Sequence, residues 1–239
     1  MHTQSELVLH ALKHLKIESL NAMQEASILA WKEQKDLILL SPTGSGKTLA
    51  YLLPLLESLD PRAEGVQAVI LVPSRELALQ IEQVLKAMDT SYKVMSCYGG
   101  RPAMEEHRTM NGIRPSVIVG TPGRMNDHLG KSNFDPSGVG VLVIDEFDKC
   151  LEFGFQEEMS QVISQLPGLK RRFLLSATDA EEIPRFTGMK QTIKLDFLEG
   201  DRQPADRIHS YKVISPIKDK LETLYQLLCT LGSRSTLVF

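Results

Sequence analysis

Six short apolar runs punctuate the chain: DLILL (36–40), AVILV (68–72), KVMSC (93–97), SVIVG (116–120), GVLVI (140–144) and RFLLS (172–176). They are rich in Val, Ile and Leu and do not alternate strictly with polar residues, which suits strands covered on both faces. Helix-like stretches such as KTLAYLLPLLESL (47–59) and SRELALQIEQVLKAM (74–88) fall between them. Strand and helix in turn imply right-handed crossovers and a mostly parallel open sheet between helices, an α/β class. Such sheets take ligands beyond the carboxyl ends of their strands. SPTGSG, PSRE, GG, TPGR, DEFD and SAT all stand at those ends.

The flanks extend this pattern. SELVLHALKHLKI carries apolar residues at 7, 8, 11, 12 and 15, a helical stripe expected to pack onto the sheet. TIKLD (192–196) reads as one more strand, and FLEGDRQPADR (197–207) as a linker. Beyond it, IHSYKVIS, IKDKLETLYQLLCTL and STLVF read as strand, helix and strand. The expected organisation is a first domain over 1–200 and, over 201–239, a linker with the incomplete start of a second.

Bulk properties narrow the function classes. With 239 residues and a formal net charge of −3, no global basic surface exists to hold nucleic acid. A polyanion site must be local and built from placed donors. Cys97, Cys150 and Cys229 are odd in number and far apart. They suggest neither a metal cluster nor a disulfide framework, and a reduced, intracellular protein is expected. No apolar run reaches the roughly 18 residues of a membrane span.

SPTGSGKT follows a strand and enters a helix. Thr43, Gly44, Ser45 and Gly46 would curl backbone N–H groups around phosphate oxygens. Lys47 would reach the terminal phosphates, Thr48 would bind Mg²⁺, and the helix N-terminus favours anions. Ser41 stands where the strict phosphate-loop pattern has Gly. A Gly-rich turn with a solvated lysine is the plain alternative. Asp145, just past an apolar strand, would sit beside Lys47 at the crevice and share the cation with Thr48. Glu146 would orient or deprotonate an attacking water. Asp148 would hold a neighbouring loop by bonds from Ser176 and Thr178, for which helix capping before DAEE is the alternative.

In this order the motifs resemble those of the DEAD-box family of ATP-dependent RNA helicases. SPTGSGKT is similar to motif I, PSRELA to Ia, the doublet Gly99–Gly100 to the family's glycine pair, TPGR to Ib, DEFD to motif II and SAT to motif III. STLVF resembles the strand that enters motif IV. The resemblance implies a RecA-like P-loop NTPase domain that uses ATP and Mg²⁺, with Lys47, Asp145 and Glu146 catalytic. It implies that Gln24 reads the adenine edge, although Asn21–Ala22 replaces the family's Pro-Thr and Leu7 its upstream aromatic. It implies that Pro73, Arg75, Gly99, Gly100, Thr121, Pro122, Gly123 and Arg124 hold the backbone of single-stranded or short duplex RNA. Such contacts position without reading bases. A turn with a helix cap is the plain alternative for TPGR, and a salt bridge for Arg75. Phe147 replaces the family's Ala and is expected to press on the following helix.

The function so implied is RNA-stimulated ATP hydrolysis coupled to local duplex separation or ribonucleoprotein remodelling. These residues alone are expected to be weakly active, because the rest of a second RecA-like domain supplies further arginines. A protein activator is compatible with that reading, and a cytoplasmic location is expected, with a nuclear or nucleolar one the alternative in a eukaryote. The rival readings are an RNA-binding scaffold that retains ATP without turnover and a DNA-directed motor.

Overall fold

The computed structural model describes residues 5–179, 183–198, 211–216 and 218–238. Seven parallel strands form one sheet: β1 (Asp36–Leu40), β2 (Ala68–Leu71), β3 (Val94–Cys97), β4 (Val117–Gly120), β5 (Val141–Ile144), β6 (Arg171–Ser176) and β7 (Thr192–Asp196). Their order is β3-β4-β2-β5-β6-β1-β7. The six apolar runs and TIKLD are these strands, to within a residue or two at their ends.

Successive side chains on a strand face opposite sides of a sheet, and here each side has its own core. Leu37, Leu39, Ile70, Val119, Val143, Phe173 and Leu175 bury on one face. Ile38, Leu40, Val69, Leu71, Ile118, Leu142 and Ile144 bury on the other. Burying one such side chain fully is worth about 1.5–3 kcal/mol. Double burial therefore explains why the strands read as unbroken apolar runs. β7, with a partner on one side only, returns to alternation: Thr192, Lys194 and Asp196 are exposed.

The first face is covered by α1 (Glu6–His14), α2 (Ala22–Trp31), α3 (Lys47–Ser58) and α4 (Arg75–Ala87), which contribute Val8, Trp31, Tyr51 and Ile81 to its core. α1 does bury its stripe through Val8, Ala11 and Leu12, but its main neighbour is α3 rather than the sheet. The second face is covered by α5 (Ala103–Ile113), α6 (Pro122–Gly130), α7 (Phe147–Glu152) and α8 (Gln156–Ser164), through Met110, Met125, Cys150 and Met159.

The chain divides into compact units at Met1–Asp201 and Arg202–Phe239. In the second unit α9 (Leu221–Leu231) forms where a helix was expected. Residues 211–216 and 235–238 are not strands, which corrects that part of the sequence reading. A strand needs a paired neighbour, and no strand pairing involves this unit among the described residues. The expected linker lies largely outside the described residues. No helix among the described residues is long and apolar enough to cross a membrane.

Candidate nucleotide and nucleic-acid site

Parallel strands bring the loops after β1 to β6 to one edge of the sheet. After β1 the chain reverses over residues 41–46, with Gly44 at φ +83° and Gly46 at φ +91°. Side-chain-bearing residues rarely take those angles. Gly46 caps α3 with no side chain of its own, so the first-turn N–H groups point out of the helix end and suit an anion. Ser41, fully buried, donates from Oγ to Ser45 Oγ at 2.6 Å. The departure from Gly thus becomes a strut across the loop. Thr43 and Gly44 are exposed, and Thr48 is half-buried in the first turn of α3.

Two side chains at the start of α2, its cap Asn21 and Gln24 of its first turn, fasten the same loop. Asn21 Nδ2 donates to the Ser45 carbonyl at 3.0 Å and Gln24 Nε2 to the Gly46 carbonyl at 3.2 Å. Gln24 Oε1 accepts from the Asn21 N–H, closing a capping box. Both ends of the Gln24 amide are therefore engaged, and the side chain is buried. In this structure Gln24 braces the phosphate loop, and its amide keeps one donor hydrogen and one oxygen lone pair for a further partner. A Cβ on residue 46 would come within 2.7 Å of its Nε2, so the Gln24 brace needs glycine there.

Lys47 is buried and donates from Nζ to the Ser41 carbonyl at 2.7 Å. Burial pulls its pKa down, while the charges of Asp145, Asp148 and Glu146 pull it back up. Asp145 sits just past β5 with Oδ1 accepting from the Glu146 N–H at 2.9 Å. Burial pushes its carboxyl up to about 6 against the charge of Lys47. The hydroxyl of Tyr51, fully buried on α3, meets this carboxyl without closing a hydrogen bond of ordinary geometry. The burial, and then the nearby carboxylate, push the phenol well up. Glu146 is half-buried and held at φ +50°, ψ +51° as the cap of α7. That conformation costs a residue with a side chain about 1–3 kcal/mol. It ends the extended backbone directly after Asp145.

The sheet order separates Lys47 from Asp145 by one strand more than the sequence suggested. β6 lies between β1 and β5, so the SAT loop stands in the middle of the site. Thr178 Oγ1 donates to Asp148 Oδ2 at 3.1 Å. Ser176 does not reach Asp148. Its Oγ donates to the Thr178 carbonyl at 2.6 Å and accepts from the Thr178 N–H, so it shapes the turn that presents Thr178. Phe147 does not press on the following helix alone. It is buried with its ring 6.5 Å from that of Phe186, which joins the carboxylate loop to the segment after SAT.

The expected RNA-facing residues form a second group along the same edge. Pro73 is buried, Ser74 caps α4 by accepting from the Leu77 N–H, and Arg75 opens that helix exposed. Gly99 and Gly100 are exposed, as is Gly123; Thr121 is half-buried and Pro122 buried at the start of α6. Arg124 turns inward. Its guanidinium donates to the Tyr98 carbonyl at 3.2 Å and to the Arg101 carbonyl at 2.5 Å, and pairs with Glu106 at 3.4 Å. It braces the glycine-doublet loop from below. Glu106 is held in turn by His128 Nε2 at 2.9 Å, and Asn133 donates to His128 Nδ1 at 2.8 Å.

Sequence reasoning missed Tyr98 and Arg101. The Arg101 guanidinium lies 4.7 Å, and that of Arg75 5.5 Å, from the Tyr98 ring centre. A basic residue directly after the glycine pair was a usable signal. It also missed Glu106 and His128, whose partners are on other helices and leave no local mark. An open cavity of about 610 Å³ lined by Val66, Pro115 and Gly138 lies at the opposite edge of the sheet.

Comparison with known proteins agrees with this geometry. The sequence model described as DEAD/DEAH box helicase matches residues 21–186. The chain is 31% identical to the ATP-dependent RNA helicase CshA of Limosilactobacillus reuteri, over 98% of this chain and 48% of that protein. It is 36% identical to the ATP-dependent RNA helicase DeaD of Escherichia coli K12, over 75% of this chain and 29% of that protein. The chain thus spans about half or less of these relatives' lengths. Among solved structures, a DEAD box protein from the hyperthermophile Methanococcus jannaschii superposes with a TM-score of 0.74 at 27% identity, covering 81% of this chain and 54% of that one. Mss116p bound to single-stranded RNA and AMP-PNP superposes with a TM-score of 0.71 at 28% identity, covering 80% and 42%.

Proposed function

The chain belongs to the DEAD/DEAH box helicase family, and on that premise we propose that Met1–Asp201 is the nucleotide-binding RecA-like half of an ATP-dependent RNA helicase. The observation that carries this reading is the convergence of a phosphate loop, two carboxylates in different backbone conformations and a row of helix starts at one sheet edge. Residues 43–48 would hold the ATP phosphates, with Lys47 turning its ammonium from Ser41 to a terminal phosphate oxygen. Glu146 would orient and deprotonate the attacking water. Mg²⁺ fits Thr48 and Asp145. Both offer hard oxygen donors, and the charge of Lys47 offsets only part of the burial of the Asp145 carboxyl, the ammonium itself donating to a carbonyl. When bound, such an ion neutralises charge on phosphate oxygens.

RNA would lie along Arg75, the 99–100 loop and the start of α6, held by backbone N–H groups and guanidinium charge rather than by base edges. Arg101 and Tyr98 join this surface, with Arg124 fixing its shape. The Asp148–Thr178 bond would carry the state of the nucleotide loop to the RNA-bound closed form. That form, with its activating arginines, would require a complete second RecA-like domain beyond the start contained in 201–239. Duplex separation, remodelling and any protein activator belong to that assembly, and a cytoplasmic setting suits it.

The test is phosphate release from Mg·ATP. These 239 residues are expected to bind nucleotide and turn it over slowly. The same chain continued through a complete second domain is expected to respond to single-stranded RNA and not to matched DNA. Unchanged turnover in Glu146→Gln, or equal stimulation by DNA, would overturn the assignment.

A further inference from the structure

Among the described residues, two clusters of metal-ligating side chains lie away from the nucleotide loops. Cys97, Glu106 and His128 are buried with donor atoms within 4.8 Å of one another. Their donors are already committed. Glu106 accepts from the Tyr98 N–H and from His128 and is ion-paired with Arg124, and His128 Nδ1 accepts from Asn133. Burial holds the Cys97 thiol protonated, and the Arg124 cation beside Glu106 repels another. That cluster is a structural network.

The second cluster is exposed, and the one hydrogen bond on its ligand atoms, from His10 Nε2 to the Asp89 carbonyl, lies within the cluster itself. His10 and His14 stand four residues apart on α1, so they share one helix face, the spacing that lets two imidazoles chelate one ion. Their ring centres are 4.3 Å apart. Asp89, just past the end of α4, faces them: its Oδ2 lies 3.9 Å from His10 Nε2 and 3.7 Å from His14 Nδ1. Donors around a tetrahedral Zn²⁺ are separated by about 3.3 Å, as its bond lengths of about 2.0–2.2 Å require. Small side-chain rotations close the difference, and all three side chains are exposed enough to make them.

The surrounding field favours a cation. α1 ends at His14 and α4 at Ala87, so the negative ends of two helix dipoles converge beside the Asp89 carboxylate. Asp89 itself is held in the left-handed region at φ +51°, with its N–H bonded to the Lys86 carbonyl. That turn also aims its carbonyl at the site, where it accepts from His10 Nε2 at 2.9 Å. The ring carries its proton on Nε2 in that bond. Ligation at Nε2 moves the proton to Nδ1 and leaves the imidazole neutral.

We propose that His10, His14 and Asp89 form a binding site for a divalent transition-metal ion of the Zn²⁺ class, bridging the end of α1 to the end of α4. Two imidazoles and one carboxylate select such ions over Mg²⁺, which prefers oxygen alone. With three protein ligands the coordination is completed by water.

The experiment is ZnCl₂ titration of the whole chain against a chromophoric chelator, in a Cys229→Ser background that removes the exposed thiol. One equivalent is expected to bind, and Zn²⁺ but not Mg²⁺ is expected to raise the unfolding temperature. His10→Ala and His14→Ala should each weaken binding by more than the roughly 10–100-fold that loss of an outer-shell partner costs. Asp89→Asn, which keeps a ligating oxygen, should weaken it less. Co²⁺ in the same site should show visible bands without a thiolate charge-transfer band. Equal binding by the His10→Ala/His14→Ala double variant, or a thiolate band, would overturn the proposal. Circular dichroism of the variants guards against misfolding, and a loss of binding with folded variants supports it.

Discussion

Replacing Asp145 by Asn is expected to stabilise the chain while removing its chemistry. The buried carboxyl holds its proton to about 6 against an ordinary value of 3.8. In the unfolded chain the proton leaves near that ordinary value, so the folded state binds more protons between the two. Stability then falls as pH rises through that window and stays low above it. At about 1.36 kcal/mol per pH unit, keeping the carboxylate charged at pH 7.5 costs about 3 kcal/mol. Asn keeps the Oδ1 acceptor for the Glu146 N–H and carries no charge. It also takes a compensating neighbour from Lys47, so about 3 kcal/mol is the ceiling. For a unit of this size that is a rise of about 6–12 °C in unfolding temperature. The assay is thermal and urea unfolding of both proteins at pH 4 and pH 7.5, without nucleotide or divalent ion. The gap should be wide at pH 7.5 and close at pH 4. A variant no more stable at pH 7.5, or a gap independent of pH, would refute the argument.

Other expectations follow from the same geometry. Phe147→Ala empties a buried site against Phe186 and should cost about 3–5 kcal/mol in urea unfolding, even though it restores the residue for which the family is named. Arg75→Ala should leave stability unchanged and reduce the salt dependence of RNA binding by about one phosphate contact. Arg124→Ala should instead lose about 3–5 kcal/mol of stability, because it leaves Glu106 buried without its cation; equal stability of the two variants would contradict the inward assignment of Arg124.

The sheet was legible because double burial writes a strand as an unbroken apolar run, from DLILL to RFLLS. The phosphate loop was legible because Gly44 and Gly46 take backbone angles that few residues can, and Lys47 follows them directly. What stayed hidden depends on partners distant in sequence. Nothing near Arg124 says that Glu106 will draw it inward, nor near Phe147 that Phe186 will meet it. Nor does the spacing that marked Gln24 as a site residue say that its amide also ties the Gly46 carbonyl to the Asn21 N–H. The runs at 211–216 and 235–238 have strand composition but no partner strand among the described residues, and composition alone does not pair a backbone.

The place of β6 has a mechanical meaning. Its hydrogen bonds run to β1 on one side and to β5 on the other, so the phosphate loop and the carboxylates hang from opposite flanks of one strand. Neither can slide along the sheet axis without shearing a ladder at its centre, where opening is most costly. The molecule therefore keeps its two chemical halves at a fixed gauge. Between them, above β6, stands the loop that carries Thr178 and its bond to Asp148.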